Sequence, residues 1–443
     1  MQRALCPVET LYVGQRSRAV LSCTLHGHVD VEALSAAFDA VTAAQPTLRA
    51  RIVPDGTGYA LRLLDEESRP RLITRTGDAE EAHAAELNSP LPVGSPLTRA
   101  VLVSAPDGDQ HLFVLTIDHT ITDGHSALTL HNILWDRYRE IVEADGEHRE
   151  AVPSAAAVVT EDRVDGPQWP SPVSLSLPRG DEADTAAYLE RRTEEARQHP
   201  VELVAYDVPA GTEDGHVEAC RLTLDPEDTT RLRQAARRAG VSVHALVSAA
   251  VLGAARRRLA GDGARTLGCL SPVDLRSRMS PPLPAAVAVA AVTSHLQTVE
   301  VSEETEPLAL ARTVHARIGE YIARGDHFRE VLITPEIPRN PALQLGTVIV
   351  TNMGVVPGPR LPEGLRASDV RLVPGRENYF PQMGRSPVMA CVVSCEGRLA
   401  IEFPHFTACF SPSFMAAFRD DVRDGLLAFT GTAEPEPALA DAR

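Results

Sequence analysis

Apolar residues recur at two periods along this chain, and the alternation between those periods lays out its first half. "AVLSCTLHGHV", residues 19–29, reads as a strand. "DVEALSAAFDAVTAAQPTLRARIV" then sets Leu34, Phe38, Val41 and Leu48 at helical spacing, with Asp30 as N-cap and Pro46 as the stop. "TRAVLVSA" and "QHLFVLTID" are two further strands. After Gly124 the helical period returns, and Leu128, Leu130, Ile133, Leu134, Tyr138 and Ile141 form one apolar face.

From about 151 to 215 the pattern breaks into a Pro-rich, charged stretch with one helical piece near 183–198, the texture of a crossing between domains. The style of the first half then restarts. "EACRLTLD" predicts a strand, and "PEDTTRLRQAARRAG" a helix with Pro226 in its first turn and Gly240 past its end. "VSVHALVSAAVLGAARRRLAG" predicts a buried helix. Strands follow over "TLGCLSPVDLRSR" and "AAVAVAAVTSHLQTVEV", then a helix at 306–324, strands near 345–351, 388–395 and 398–403, and a last helix capped by Ser411. The expected organisation is a first lobe over 1–160, a crossing over 161–215 and a second lobe over 216–443, two similar α/β layers in tandem.

Length agrees, since 443 residues exceed one ordinary core and suit two domains. A 44% apolar fraction supplies a sizeable core. The net charge of −17 argues against nucleic acid and anionic membranes as partners, because both need clustered Lys and Arg. "MQRALCPVETLYVG" lacks a signal-peptide apolar core and no run reaches the roughly 18 apolar residues of a membrane span, so a cytoplasmic protein is expected. The seven cysteines are scattered without a CxxC pair, which argues for buried small hydrophobes rather than a disulfide framework or zinc cage.

One turn is too rich in chemistry for a connector. "HLFVLTIDHTITDGHSALTL" places Asp118, His119, Asp123 and His125 between a strand and a helix, with Gly124 free to take backbone angles closed to other residues. Three readings stand at this point: a metal cage, a catalytic base with its support, or a well-satisfied corner of a core. The spacing is neither HxH nor HExxH, which weighs against metal. His26 and His28 read as surface residues at a strand end.

The turn carries HxxxDG, and in that context the chain resembles the superfamily of chloramphenicol acetyltransferase, carnitine acyltransferases, plant BAHD acyltransferases and nonribosomal peptide condensation domains. The likeness is nearest to polyketide-associated (Pap-type) acyltransferases. It spans nearly the whole chain, in order. "LCPVETLY" is similar to an opening "LSPxE" segment, Gln45-Pro46-Thr47-Leu48-Arg49 to "HPxLR", "GVSVHALVSAAVLGAARRR" to the helix opening the second half, "SPVDLRSR" to a strand with its arginine, and "VIVTNMGVVP" to "SNxG" with Thr351 for Ser.

The resemblance implies an α/β fold of two chloramphenicol-acetyltransferase-like lobes in a V with an interdomain tunnel. It implies His119 as general base toward a hydroxyl acceptor attacking an acyl thioester, Asp123 paired structurally with Arg276, and the Gly124 amide beside the oxyanion. A histidine suits the step because its ordinary pKa near 6.5 leaves much of it neutral at pH 7. No bound cofactor or metal is implied. The co-substrate is an acyl thioester of coenzyme A or of phosphopantetheine on an acyl carrier protein, the acceptor a small alcohol, and the protein a monomer.

Asp118 stands where relatives often carry a second histidine, and a carboxylate there favours the protonated base. With Thr351 and Asn352 it is a candidate for substrate contact, although a Thr-Asn pair before Met353-Gly354 also suits an Asx turn. The absence of a "DFGWG" latch favours ester formation by a free-standing enzyme over an amide-forming condensation enzyme or a non-catalytic carrier-binding homologue. Arg256, Arg257 and Arg258, with Arg265, Arg276 and Arg278, concentrate positive charge in an acidic chain; Arg257 and Arg258 are the candidates for docking an acidic carrier, against the alternative of cations at a helix end.

Overall fold

The computed structural model describes residues 2–106, 108–145, 169–177, 181–209, 215–375 and 384–431. The first lobe begins with helix α1, Pro7–Gln15, and strand β1, Arg18–His26. Helix α2, Val31–Ala44, starts where Asp30 accepts the amides of Glu32 and Ala33, and ends before Pro46, as the sequence predicts. Strand β2, Leu72–Thr76, helix α3, Ala79–Leu87, strands β3, Thr98–Ser104, and β4, Gln110–Asp118, and helix α4, Gly124–Asp145, follow, beside a small three-stranded sheet of Gln2–Ala4, Gly58–Leu63 and Ala50–Asp55. Helix α5, Glu182–Gln198, lies within the expected crossing. The expected lobe boundary at 160 lies outside the described residues.

In the second lobe β5, Val217–Leu224, leads to α6, Pro226–Ala239, with Pro226 at its start and Gly240 in the left-handed region at its end. Helix α7, Val243–Arg256, is capped by Ser242 and buried along most of its length. Strands β6, Arg265–Asp274, and β7, Val292–Val301, helices α8, Pro307–Ala323, and α9, Asp326–Leu332, and strand β8, Val348–Val355, follow. Then come β9, Arg366–Gly375, β10, Val388–Cys395, β11, Arg398–Phe406, and α10, Pro412–Gly431.

Two main sheets organise these elements. One has the order β9-β1-β4-β3-β2, the other β7-β6-β8-β10-β11-β5. In the second, Cys269, Val348, Val350 and Ala390 pack with α7 and α10 into the larger core, while Leu270, Leu296, Ile349 and Met389 cluster on the opposite face. Burying a side chain such as Phe418 or Val251 contributes roughly 1.5–3 kcal/mol.

The structure adds elements the sequence reading did not name, among them α1, β2 and α3, and departs from it in three further places. The apolar run 285–301 is a strand only from Val292; Ala288 to Ala291 are buried without strand pairing, because their backbone serves the site described below. Arg276 stands on a short turn, Arg276–Arg278, after the strand rather than in it. Strand β9 was not anticipated, and it leaves the second half of the chain to pair along β1 in the first sheet. Arg371 of β9 binds Glu402 of β11 at 2.8 Å and Glu80 of α3 at 2.9 Å, so the crossing strand is tied to both sheets.

Glu402 is 3% exposed and Arg371 7%. Burial raises the Glu402 carboxyl more than Arg371 and Arg221 lower it. Arg371→Ala, which leaves that carboxyl buried with weakened compensation, should destabilise by about 3–5 kcal/mol, and adding Glu402→Gln should recover much of the loss. Denaturant unfolding of both variants measures this; no recovery in the double variant would mean that Glu402 is not the group left stranded.

Candidate active site between the lobes

Strand β4 brings the candidate base to the end of a buried ladder. Alternation along the strand then separates neighbours. Asp118, opposite Arg18 in the register, lines a small hollow with Val13 and Arg16 and accepts the Thr120 amide at 2.8 Å; it is not among the residues of the main cavity. His119 is. Its amide donates to the Ser17 carbonyl at 2.9 Å, and its ring lies flat on Tyr12, 4.1 Å between centroids and 9° from parallel.

The cavity has a volume of about 580 Å³ and is walled from both lobes, by Tyr12 and His119 on one side and Leu270, Ile349 and Met389 on the other. His125, Thr351 and Asn352 line it as well. Asn352 Oδ1 accepts the Gly354 amide at 2.8 Å, so this residue caps an Asx turn and faces the cavity at once.

Asp123 is the hinge of the site. Its carboxylate accepts the Ser126 amide at 2.8 Å as cap of α4, Arg276 Nη2 at 2.8 Å and Nε at 3.0 Å, and the Ala291 amide at 2.9 Å. Arg276 donates also to the carbonyls of Pro284, Val287 and Val289. This accounts for the buried irregular run at 288–291: its backbone solvates an ion pair whose side chains are 4–5% exposed. Burial alone would raise the Asp123 carboxyl, but the charge of Arg276 and hydrogen bonds from Arg276, Ser126 and Ala291 hold it below the usual carboxylate value.

Gly124 opens α4, and its φ is outside the left-handed region. Conformational freedom is therefore not why glycine stands here. A Cβ would lie 2.3 Å from Met353 Sδ, so the constraint is close approach.

Arg257 and Arg258 are not brought to this cavity. They follow the last residue of α7, whose first turn lines it, and 14 helical residues span about 21 Å. Arg258 reaches Asp421 of α10 and lies over the rings of Phe414 and Phe418, while Arg257 Nε is 3.4 Å from Asp421. Sequence reasoning missed Tyr12, His244 and Ser271. The one signal for His244 was a polar ring in the apolar run "VSVHALVSAAVL". Among the described residues, no group of three or more His, Cys, Asp or Glu is placed to hold a metal ion.

Residues 213–404 match the family profile "Phthiocerol/phthiodiolone dimycocerosyl transferase C-terminus". A phthiocerol/phthiodiolone dimycocerosyl transferase of Mycobacterium tuberculosis is 26% identical over 389 residues, covering 83% of this chain and 85% of its own. The structure of polyketide synthase associated protein 5 from Mycobacterium tuberculosis superposes with TM-score 0.71 at 22% identity, over 97% of this chain and 98% of that one. The first condensation domain of the CDA synthetase superposes with TM-score 0.69 at 18% identity, over 98% and 97%.

Replacing Asp123 or Arg276 by Ala should each cost about 3–5 kcal/mol, since each strands the other charge, and the double variant should lose much less than the sum. Additive losses in denaturant unfolding would mean that the two do not act together. Because the folded Asp123 carboxyl titrates below the unfolded value near 4, its stabilisation is complete above about pH 4 and disappears as pH falls through the lower folded value. Asp123→Asn should therefore flatten that acid limb of the stability profile.

Proposed function

We propose that this chain is an acyltransferase that moves an acyl group from a thioester to an alcohol, with His119 as general base, a reading supported by its likeness to dimycocerosyl transferases and by the fold it shares with polyketide synthase associated protein 5 and a condensation domain. The observation that carries this is the position of His119, stacked on Tyr12 and turned into a cavity shared by both lobes. An alcohol placed in the cavity gives its proton to the imidazole as its oxygen attacks the thioester carbonyl. The tetrahedral oxyanion forms near the first turn of α4, where Gly124 admits close approach and helix amides face outward unpaired by the helix itself. Collapse breaks the carbon–sulfur bond, and the imidazolium returns its proton to the departing thiolate.

A thioester is already activated, so no covalent enzyme intermediate is required. Asp123 accordingly has a structural part, fixing the start of α4 and, through Arg276, the position of the second lobe against it. The two sides of the cavity would receive donor and acceptor separately, the donor being coenzyme A or a carrier's phosphopantetheine arm. The names of the relatives support lipid or natural-product biosynthesis as the setting.

His119→Ala should leave the fold intact and lower thiol release from an acyl thioester by about 10² or more, the usual contribution of a positioned base. Wild-type protein is assayed with a panel of alcohols and amines. Turnover by the variant within a few-fold of wild type would remove His119 from the reaction, and turnover with amines alone would replace ester by amide formation.

A further inference from the structure

Besides His119 the cavity wall carries further imidazoles that acyl transfer leaves unused, and one of them is held by hydroxyls. His244, in the first turn of α7, lies on its wall beside Ser271 of β6. Strands β6 and β8 pair only at Cys269–Val348 and Leu270–Ile349. The cavity is lined by residues from both faces of the sheet around that short pairing, with Leu270 and Ile349 on one and Ser271 and Thr293 on the other. It thus continues beyond the meeting of the lobes to a part walled by Val243, Ile318 and Ile322, a lining suited to a chain.

His244 Nε2 lies 3.0 Å from Ser271 Oγ and 3.4 Å from Ser248 Oγ. Every hydrogen bond of this ring among the described residues runs through Nε2. Nδ1 has none, and it is not sealed within the core as the ring nitrogens of His83 and His295 are. Burial holds the ring down to about 4, so it is neutral at working pH. Whichever nitrogen carries the proton, Nδ1 offers either an N–H or a lone pair on a wall that also holds Val243, Ile318 and Ile322, and a polar group left unmatched beside an alkyl chain weakens binding of any plain chain. A hydroxyl can answer both cases, since it donates and accepts.

We propose that His244, oriented by Ser271, recognises a hydroxyl on the acyl chain of the donor, making this enzyme selective for hydroxyacyl over plain acyl groups. The inference rests on the acyl-transfer reading only for the identity of the occupant. The test reads binding, in full-length His119→Ala protein so that no chemistry intervenes. Calorimetry is run with a series of medium-chain acyl-pantetheine thioesters, plain and hydroxylated at successive carbons. One hydroxylated member should bind about tenfold more tightly than its plain parent. Adding His244→Phe, which keeps a ring and removes Nδ1, should abolish that preference without weakening the plain chain. Should this variant fail to fold, Ser271→Ala removes only a hydroxyl and should reduce the preference. Equal affinities throughout, no binding of any member, or a preference that survives both substitutions would overturn the proposal. Failure of the acyl-transfer reading is seen separately, as absence of thiol release by the wild type.

Discussion

The carboxylate of Asp123 is the point on which this structure turns. It is at once the cap of a first-lobe helix, the counter-ion of a second-lobe arginine and the acceptor of a second-lobe backbone amide. A buried carboxylate is tolerated only when its lone pairs are met, and here the donors come from segments far apart in sequence. Separating the lobes would leave a carboxylate and a guanidinium without partners in surroundings shaped to exclude water. The pair thus favours one docking of the lobes over near alternatives, and that docking sets the walls facing His119.

A second tie works by different means. Strand β9 carries a piece of the second half of the chain into the first sheet, where backbone pairing along β1 is reinforced by Arg371 between Glu402 and Glu80. With both ties in place, Leu270, Ile349 and Met389 stay on the sheet face opposite α7, where they line the cavity. A void lined by apolar side chains would ordinarily be lost to packing. Its persistence here follows from two connections that hold the lobes at fixed spacing.

Much of this architecture was legible before the coordinates. Caps at Asp30 and Ser411, the stop at Pro46 and the left-handed Gly240 are local devices, and local pattern reveals them. The run at 285–291 was misread because burial, not periodicity, made it apolar: its carbonyls and amides were needed around an ion pair. Strand β9 was missed since "RASDVRLVPG" alternates weakly and its partner lies over 300 residues away in β1. His119, Asp123 and Arg276 came from family likeness joined to motif, whereas Tyr12 and His244 belong to no motif and became visible only through the cavity. Gly124 reads in the sequence as a freely turning residue, whereas in the fold it is the close approach of the Met353 side chain that a Cβ would disturb.

Arginine counting was the least informative part of the sequence, and the reason is physical. Guanidinium offers several donors in one plane and is only weakly hydrated, so a folded chain can use it inward, against carbonyls and carboxylates. Arg256, 1% exposed, donates to the carbonyls of Leu259, Gly261 and Gly263 and closes the turn after α7. Arg258 packs on two phenylalanine rings, and Arg192 donates to the carbonyls of Leu296 and Leu343. Of the three arginines in "ARRRLAG", Arg256 is turned inward, Arg258 is half-buried on rings and Arg257 is exposed, so a count of arginines overstates the charge that faces outward. Positive charge at the cavity itself comes from Arg278, two residues beyond the arginine that grips Asp123 and held by the Asp274 carbonyl at 2.6 Å. That cation stands on the same short turn that fixes the lobes together.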